Sequence, residues 1–205
     1  MNLKYLKYYS SCAILCAVLV GCESEYSRQV KAELAKNVRQ DSVLLGINLG
    51  HTRNDFYGRC FDLNKQHIVS QGPNGNSVQY YFTDSIVHQP PQKLRLLFAP
   101  NFDASDHIAE LQVELSYVGW APWNKDLQSD SLKVRTVELL EKWYGGNKFI
   151  MVDMDDREIP VKVDGNRRII VDAKDAQNVR IRFQDLLNPA FQHSITKEAI
   201  ESNAK

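Results

Sequence analysis

The stretch Ala109-Glu110-Leu111-Gln112-Val113-Glu114-Leu115-Ser116-Tyr117-Val118 decides how this chain folds. Leu111, Val113, Leu115 and Tyr117 alternate with Gln112, Glu114 and Ser116, so every second side chain is apolar. Side chains of a strand point alternately to opposite faces, and this pattern marks an antiparallel sheet with one dry and one wet face. Working outward, strands are predicted at Ser77–Phe82 and Leu94–Phe98 on one side of it. On the other they fall at Lys148–Met154, Ile159–Val163, Arg167–Val171 and Val179–Phe183. Pro90-Pro91 and the segment Pro100 to Asp106 break the pattern between them. Ser42 to Asn48 (SVLLGIN) reads as one further strand, ahead of the rest.

Two helices punctuate these strands. Thr52 with Asp55 three residues later has the form of a capping box, and Phe56, Cys60 and Leu63 follow at i, i+4 and i+7. An amphipathic helix is therefore predicted over 53–65, with a loop at Gly72–Asn76. A second is predicted over Leu132–Tyr144, with Leu132, Thr136, Leu139, Leu140 and Trp143 on one face and Gly145-Gly146 as its stop. Helix then strands, twice over, gives an α+β class: an antiparallel sheet packed by two amphipathic helices, in halves of about 42–118 and 128–186. Within the second half, taking Asp164-Gly165-Asn166 as a three-residue loop pairs Val161 with Ile169 and Ile159 with Val171. A two-residue Asp164-Gly165 turn would instead put Arg168 on the face of Val161. Residues 187–205 read as a polar tail.

At the first helix, Leu49-Gly50-His51-Thr52 resembles the Gly-x-Thr start of helices in the β-lactamase inhibitor protein and in the small accessory lipoprotein of the barrel-assembly machine. The likeness is confined to that helix start, and Ser129-Asp130-Ser131 stands where the second helix would repeat it. It implies helices laid on an antiparallel sheet, and a partner within an outer-membrane assembly.

The N-terminus carries a different message. Met1 to Ser11 holds Lys4 and Lys7 without an acid, and Cys12 to Val20 is apolar but too short to span a bilayer, which anatomy predicts a signal peptide over residues 1–21. Leu19-Val20-Gly21-Cys22 resembles a bacterial lipobox, which implies cleavage before Cys22, acylation of its sulfur and amine, and anchoring in a membrane through the lipid. A signal peptide with an incidental cysteine is the plainer alternative. Glu23, rather than Asp, follows the cysteine, and by the same resemblance favours the outer membrane. Glu23-Ser24-Glu25 also resembles the acidic signal that sends some lipoproteins to the cell surface. Residues 22–41, with Val30, Leu34 and Val38 four apart, are predicted to be a tether or an N-terminal helix.

The chain has 205 residues, 25 basic and 25 acidic, and 43% hydrophobic side chains. That excludes disorder throughout, a collagen repeat and a multispan membrane protein. The even charge balance gives no footprint for nucleic-acid binding. Cleavage before Cys22 would leave 184 residues with Cys60 as the one free thiol, so no intrachain disulfide is expected.

Candidate chemistry is sparse. Cys60 sits on an apolar stripe, where a buried hydrophobe is expected rather than a nucleophile. His51, His67, His88, His107 and His193 form no zinc spacing. Asp153 to Glu158 departs from a calcium loop at Arg157 and Glu158, and reads as a charged hairpin turn. Lys162, Arg168, Arg180 and Arg182 are predicted to share a mixed, solvated outer face. Trp120-Ala121-Pro122-Trp123-Asn124 is the most suggestive segment. Its two indoles either form a ligand platform for a sugar or peptide, or fold under the loop into the core. No cofactor or metal is expected, and no nucleophile elbow, phosphate loop or HExxH is present. The resulting expectation is a non-enzymatic, lipid-anchored envelope protein that binds another envelope component. The alternative is a surface carbohydrate-binding lipoprotein using Trp120 and Trp123.

Overall fold

A computed structural model describes residues 24–154 and 156–192. The chain runs α1 (Glu25–Ala35), β1 (Ser42–Leu44), β2 (Ile47–Asn48), α2 (Arg53–Lys65), β3 (Val69–Gln71), β4 (Val78–Asp84), β5 (Gln92–Phe102) and β6 (Ile108–Tyr117). It continues through α3 (Ser129–Tyr144), β7 (Ile150–Met154), β8 (Arg157–Asp164), β9 (Arg167–Ala173) and β10 (Val179–Asp185). Strands β3 to β10 form one antiparallel sheet in the order β3-β4-β5-β6-β10-β9-β8-β7. A helix followed by a four-stranded meander thus occurs twice, and the meanders meet through their last strands, β6 and β10.

The predicted α+β architecture is present. Phe56 of α2 and Leu132 and Leu140 of α3 pack with Leu94, Phe98, Val113, Leu115, Ile169, Ile181 and Phe183 on one face of the sheet. Full burial of each such side chain contributes about 1.5–3 kcal/mol. The capping box forms at the start of α2: Asp55 N donates to Thr52 Oγ1 at 3.2 Å, and Thr52 N donates to Asp55 Oδ2 at 3.0 Å. Helix α3 begins at Ser129, earlier than its apolar stripe, with the Ser129 amide donating outside the helix to the Ala176 carbonyl at 3.0 Å. Trp143 lies at the rim, 44% exposed, tilted against Phe82.

Two expectations are corrected, and a third, left open between two readings, is decided. The predicted strand 42–48 is a hairpin of β1 and β2, because Leu45 and Gly46 both take positive φ, 52° and 78°, as a type I′ turn demands. Arg59 Nε donates to the Leu45 carbonyl at 2.7 Å and clamps that turn to α2.

The second correction is the β8–β9 register. Asp164 pairs with Arg167 and Val161 with Ile170, so the turn is the two residues Gly165-Asn166. Gly165 takes φ +54° at the first central position, the pattern of a type II′ turn, and an added Cβ there would overlap the Val38 carbonyl. Asn166 contributes its side chain instead: its amide donates to Asp41 and Asp185 at 2.8 and 2.9 Å, and its oxygen accepts from Gln40 N at 2.6 Å. One residue of register reverses the face of every β8 side chain. Lys162 therefore leaves the outer face predicted for it and lies inside, 0% exposed. Arg168, Arg180 and Arg182 do share the outer face, although Arg168 is buried there.

The third concerns residues 22–41. Of the two readings, tether or N-terminal helix, the described part from Glu25 follows the second: it is a helix docked on the sheet, because Tyr26 extends the stripe of Val30 and Leu34 by one more turn. Tyr26 and Val30 are buried on Ile159, Val161, Val163 and Ile170. As a result β8 and β9 are covered on both faces, and the wet face expected of the whole sheet survives on β4, β5 and β6.

Candidate functional site

The segment joining β6 to α3 is built from short-range hydrogen bonds. Asn124 N donates to the Ala121 carbonyl at 3.0 Å, and the Asn124 side chain accepts from Asp126 N at 3.2 Å, starting one turn of 3-10 helix at Lys125–Leu127. Gln128 Nε2 donates to the Pro122 carbonyl at 2.9 Å. Across the sheet end, Trp120 Nε1 donates to the Ala176 carbonyl at 3.3 Å, the same oxygen that receives the Ser129 amide. That carbonyl is itself fixed, because Asp175 accepts from Gln177 N and Asn178 N, both at 2.8 Å. Burial works to raise the Asp175 carboxyl, and these bonds with the Asn178 amide outweigh it, holding the group below the ordinary carboxylate range.

The two tryptophans part company here. Trp120 is half-buried against the core, whereas Trp123 is 85% exposed. With one ring drawn into the core and the other out in solvent, the pair does not present two exposed plates, and the alternative of two core plugs holds for one ring alone. What the loop offers is one protruding indole on a braced backbone. Val118, 50% exposed, leaves the same end of the sheet, as does the β4–β5 connection carrying Ile86 at 50%.

That second connection is locked by a network that sequence reading missed. Asp84, His88 and Tyr117 are each buried. His88 Nδ1 lies 2.5 Å from Asp84 Oδ2, and its Nε2 lies 2.7 Å from the Tyr117 hydroxyl. An ionised carboxylate only accepts, so Nδ1 donates to it, and Nε2 is left to pair with the phenolic hydroxyl. The i, i+4 spacing of Asp84 and His88 was the available signal. The order acid–imidazole–hydroxyl matches a nucleophilic triad, but Tyr117 is 2% exposed, and the network acts as a latch from β6 to the 84–91 loop. Arg135 and Lys142 of α3 bind the same loop at the Val87 and Ile86 carbonyls.

Burial works to raise the Asp84 carboxyl, and bonds from His88, Ile86 N and Val87 N outweigh it, so its folded value is depressed. A depressed carboxylate adds stability above its unfolded value, about 4, and that contribution is lost as pH falls through the folded one. Urea midpoints of wild type are expected to fall below about pH 4, and Asp84→Asn is expected to flatten that dependence while lowering the midpoint at neutral pH. An unchanged acid slope in the variant would place the loss elsewhere.

At the opposite end of the sheet lies a cleft of about 280 Å³ lined by Glu33, Lys36, Gln40, Tyr144, Asn147 and Arg167. Beneath it Lys162 Nζ sits 2.7 Å from Asp164 Oδ2 and donates to the Gly145 and Asn147 carbonyls. Arg167 donates to the Ser42 carbonyl at 2.5 Å and lies 4.4 Å over the Tyr144 ring. Glu33 accepts from Asn147, Lys36 and the Gly165 amide. These groups join the ends of α1 and α3 to the β8–β9 turn.

Among the remaining candidates, Cys60 is half-buried on α2, and burial pushes its thiol up to about 11. Among the described residues no group of three or more His, Cys, Asp or Glu is placed to hold a metal. The Asp153–Glu158 segment is the tight connection of β7 to β8, with Met154 opposite Arg157. Cys22, the predicted signal peptide, His193 and residues 197–205 lie outside the described residues. Among the described residues no helix is long and apolar enough to cross a membrane. No protein-family model, no curated protein and no solved structure matches the chain.

Proposed function

We propose that this chain is a bacterial lipoprotein, anchored through Cys22 in the envelope and on the side of the outer membrane, that docks another envelope protein without catalysing a reaction. The observation that carries the docking is Trp123: a single indole at 85% exposure, on a loop held by its own hydrogen bonds. Exposed aromatic side chains on preorganised backbone are the usual anchors of protein interfaces, because they bury much area at little entropic cost. Val118 and Ile86 widen the apolar surface at that end of the sheet. A sugar-binding role would rest on the same ring alone, since Trp120 is turned to Ala176 and the core.

Anchoring is supported by the order of basic segment, short apolar core and Leu19-Val20-Gly21-Cys22. Intact mass and membrane fractionation of the native protein beside Cys22→Ser test it. The expected result is loss of residues 1–21, a lipid-sized mass increment and detergent-dependent extraction, all absent from the variant. Equal solubility and unmodified mass in both would overturn the anchoring.

A further inference from the structure

Helix α1 starts almost at the predicted acylation site. Ser24, two residues after Cys22, is its N-cap and accepts the Ser27 amide at 3.1 Å. Two residues of extended chain reach about 7 Å at most, so a lipid on Cys22 holds the bilayer surface close to the N-terminus of α1. That helix does not swing. Glu33 at its far end accepts the Gly165 amide at 3.0 Å, and Tyr26 at its near end accepts from Arg168 Nη1 at 2.5 Å. Arg168 Nε in turn donates to Gln184 Oε1 at 2.8 Å, and Gln184 donates to the buried Glu110. The near end of α1 therefore lies toward β9 and β10, at the border of the outer face that α1 leaves uncovered.

That uncovered face is basic. By strand register it carries Lys93, Arg95, Arg180 and Arg182, with Arg157 at its margin. Two of its acids are paired with basic groups of the same face, Glu114 with Lys174 at 2.5 Å and Asp172 with Arg157 and Arg180 at 3.3 and 3.4 Å, so the excess positive charge rests on Lys93, Arg95 and Arg182. Glu110 is buried under Asn101, Gln112 and Gln184. A surface of anionic lipid headgroups supplies the opposite charge, and phosphate acceptors for the basic ends that reach the surface.

We infer that the open face of the β4–β5–β6–β10 sheet lies against the membrane, its arginines on anionic headgroups, with α2 and α3 turned away from the bilayer. This rests on acylation at Cys22. The arrangement fixes the orientation of the domain: lipid and arginines hold one face against the bilayer, with the Trp123 loop at one end of the sheet.

Full-length lipidated protein extracted from its membranes, in a Cys60→Ala background, is reconstituted in vesicles carrying a headgroup quencher. One fluorophore is placed at Gln112→Cys, exposed on the open face opposite Arg182, and another at Glu138→Cys, exposed on α3. Strong quenching is expected at position 112 and little at 138 in phosphatidylcholine vesicles that contain phosphatidylglycerol. In phosphatidylcholine alone the difference should shrink, as it should at high salt. Replacing Arg180 and Arg182 by Gln should weaken the preference about fivefold for each arginine. Arg95→Gln serves the same purpose should the double variant fail to fold. Equal quenching at the two positions with the acyl mass present would overturn the placement and leave the anchoring intact. A protein without the acyl mass would overturn both.

Discussion

Lys162→Met is expected to lower the free energy of unfolding by about 3–5 kcal/mol in urea titrations. The ammonium is fully enclosed, 2.7 Å from Asp164 and bonded to the carbonyls that close α3. A methionine keeps the volume and removes the charge, leaving those carbonyls unpaired and Asp164 dependent on the Asn147 amide and a more distant Arg167. Adding Asp164→Asn should restore about 1–3 kcal/mol, because the second change removes the charge that the first left exposed to a poor dielectric. A loss under about 1 kcal/mol in the single variant would mean that the pair does not hold the turn.

The second large effect separates the two indoles. Trp123→Ala should cost partner binding about 2 kcal/mol or more, about thirtyfold in affinity, and change unfolding by no more than about 0.5 kcal/mol. Trp120→Ala should do the reverse in kind, destabilising the fold by about 1–3 kcal/mol through lost packing and the lost bond to Ala176. Quantitative cross-linking of the full-length protein in its own membranes reads the first, with Lys148→Ala as a surface control; urea denaturation reads the second. Retained cross-links in Trp123→Ala would remove the basis for docking at this loop.

Much of the fold is legible because periodicity and capping act locally. Leu111 to Tyr117 and Phe56, Cys60 and Leu63 announce their elements without knowledge of what covers them. What resisted reading depends on groups distant in sequence. The β8–β9 register follows from where Gly165 meets the Val38 carbonyl and where Asn166 meets Asp41, some 125 residues away, and no pattern within the hairpin reports either. Lys162 was misplaced for that reason, since a lysine at a strand position is normally an outward one. Tyr26 lies between Glu25 and Ser27, one turn ahead of Val30, and its place in the stripe of α1 shows only where its ring meets the sheet and its hydroxyl meets Arg168. For the Trp120–Asn124 loop, the sequence shows the two indoles but not the directions of their rings. Positions three apart in irregular backbone share no face, and the Trp120 bond to the β9–β10 turn decided which indole went in.

The seam between β6 and β10 also governs how the chain must assemble. Every other ladder of the large sheet joins strands that follow one another in the chain, whereas Gln184 meets Glu110 across 74 positions. Closing that span carries the largest loop entropy in the sheet, so each meander can zip up early and the joining of the two comes late. Until it does, two long unpaired strand edges stand open, and at high concentration the second meander of one molecule can complete the first meander of another. The braced turn carrying the tryptophans is the hinge such an exchange would have to straighten, and its hydrogen bonds favour closure within one chain.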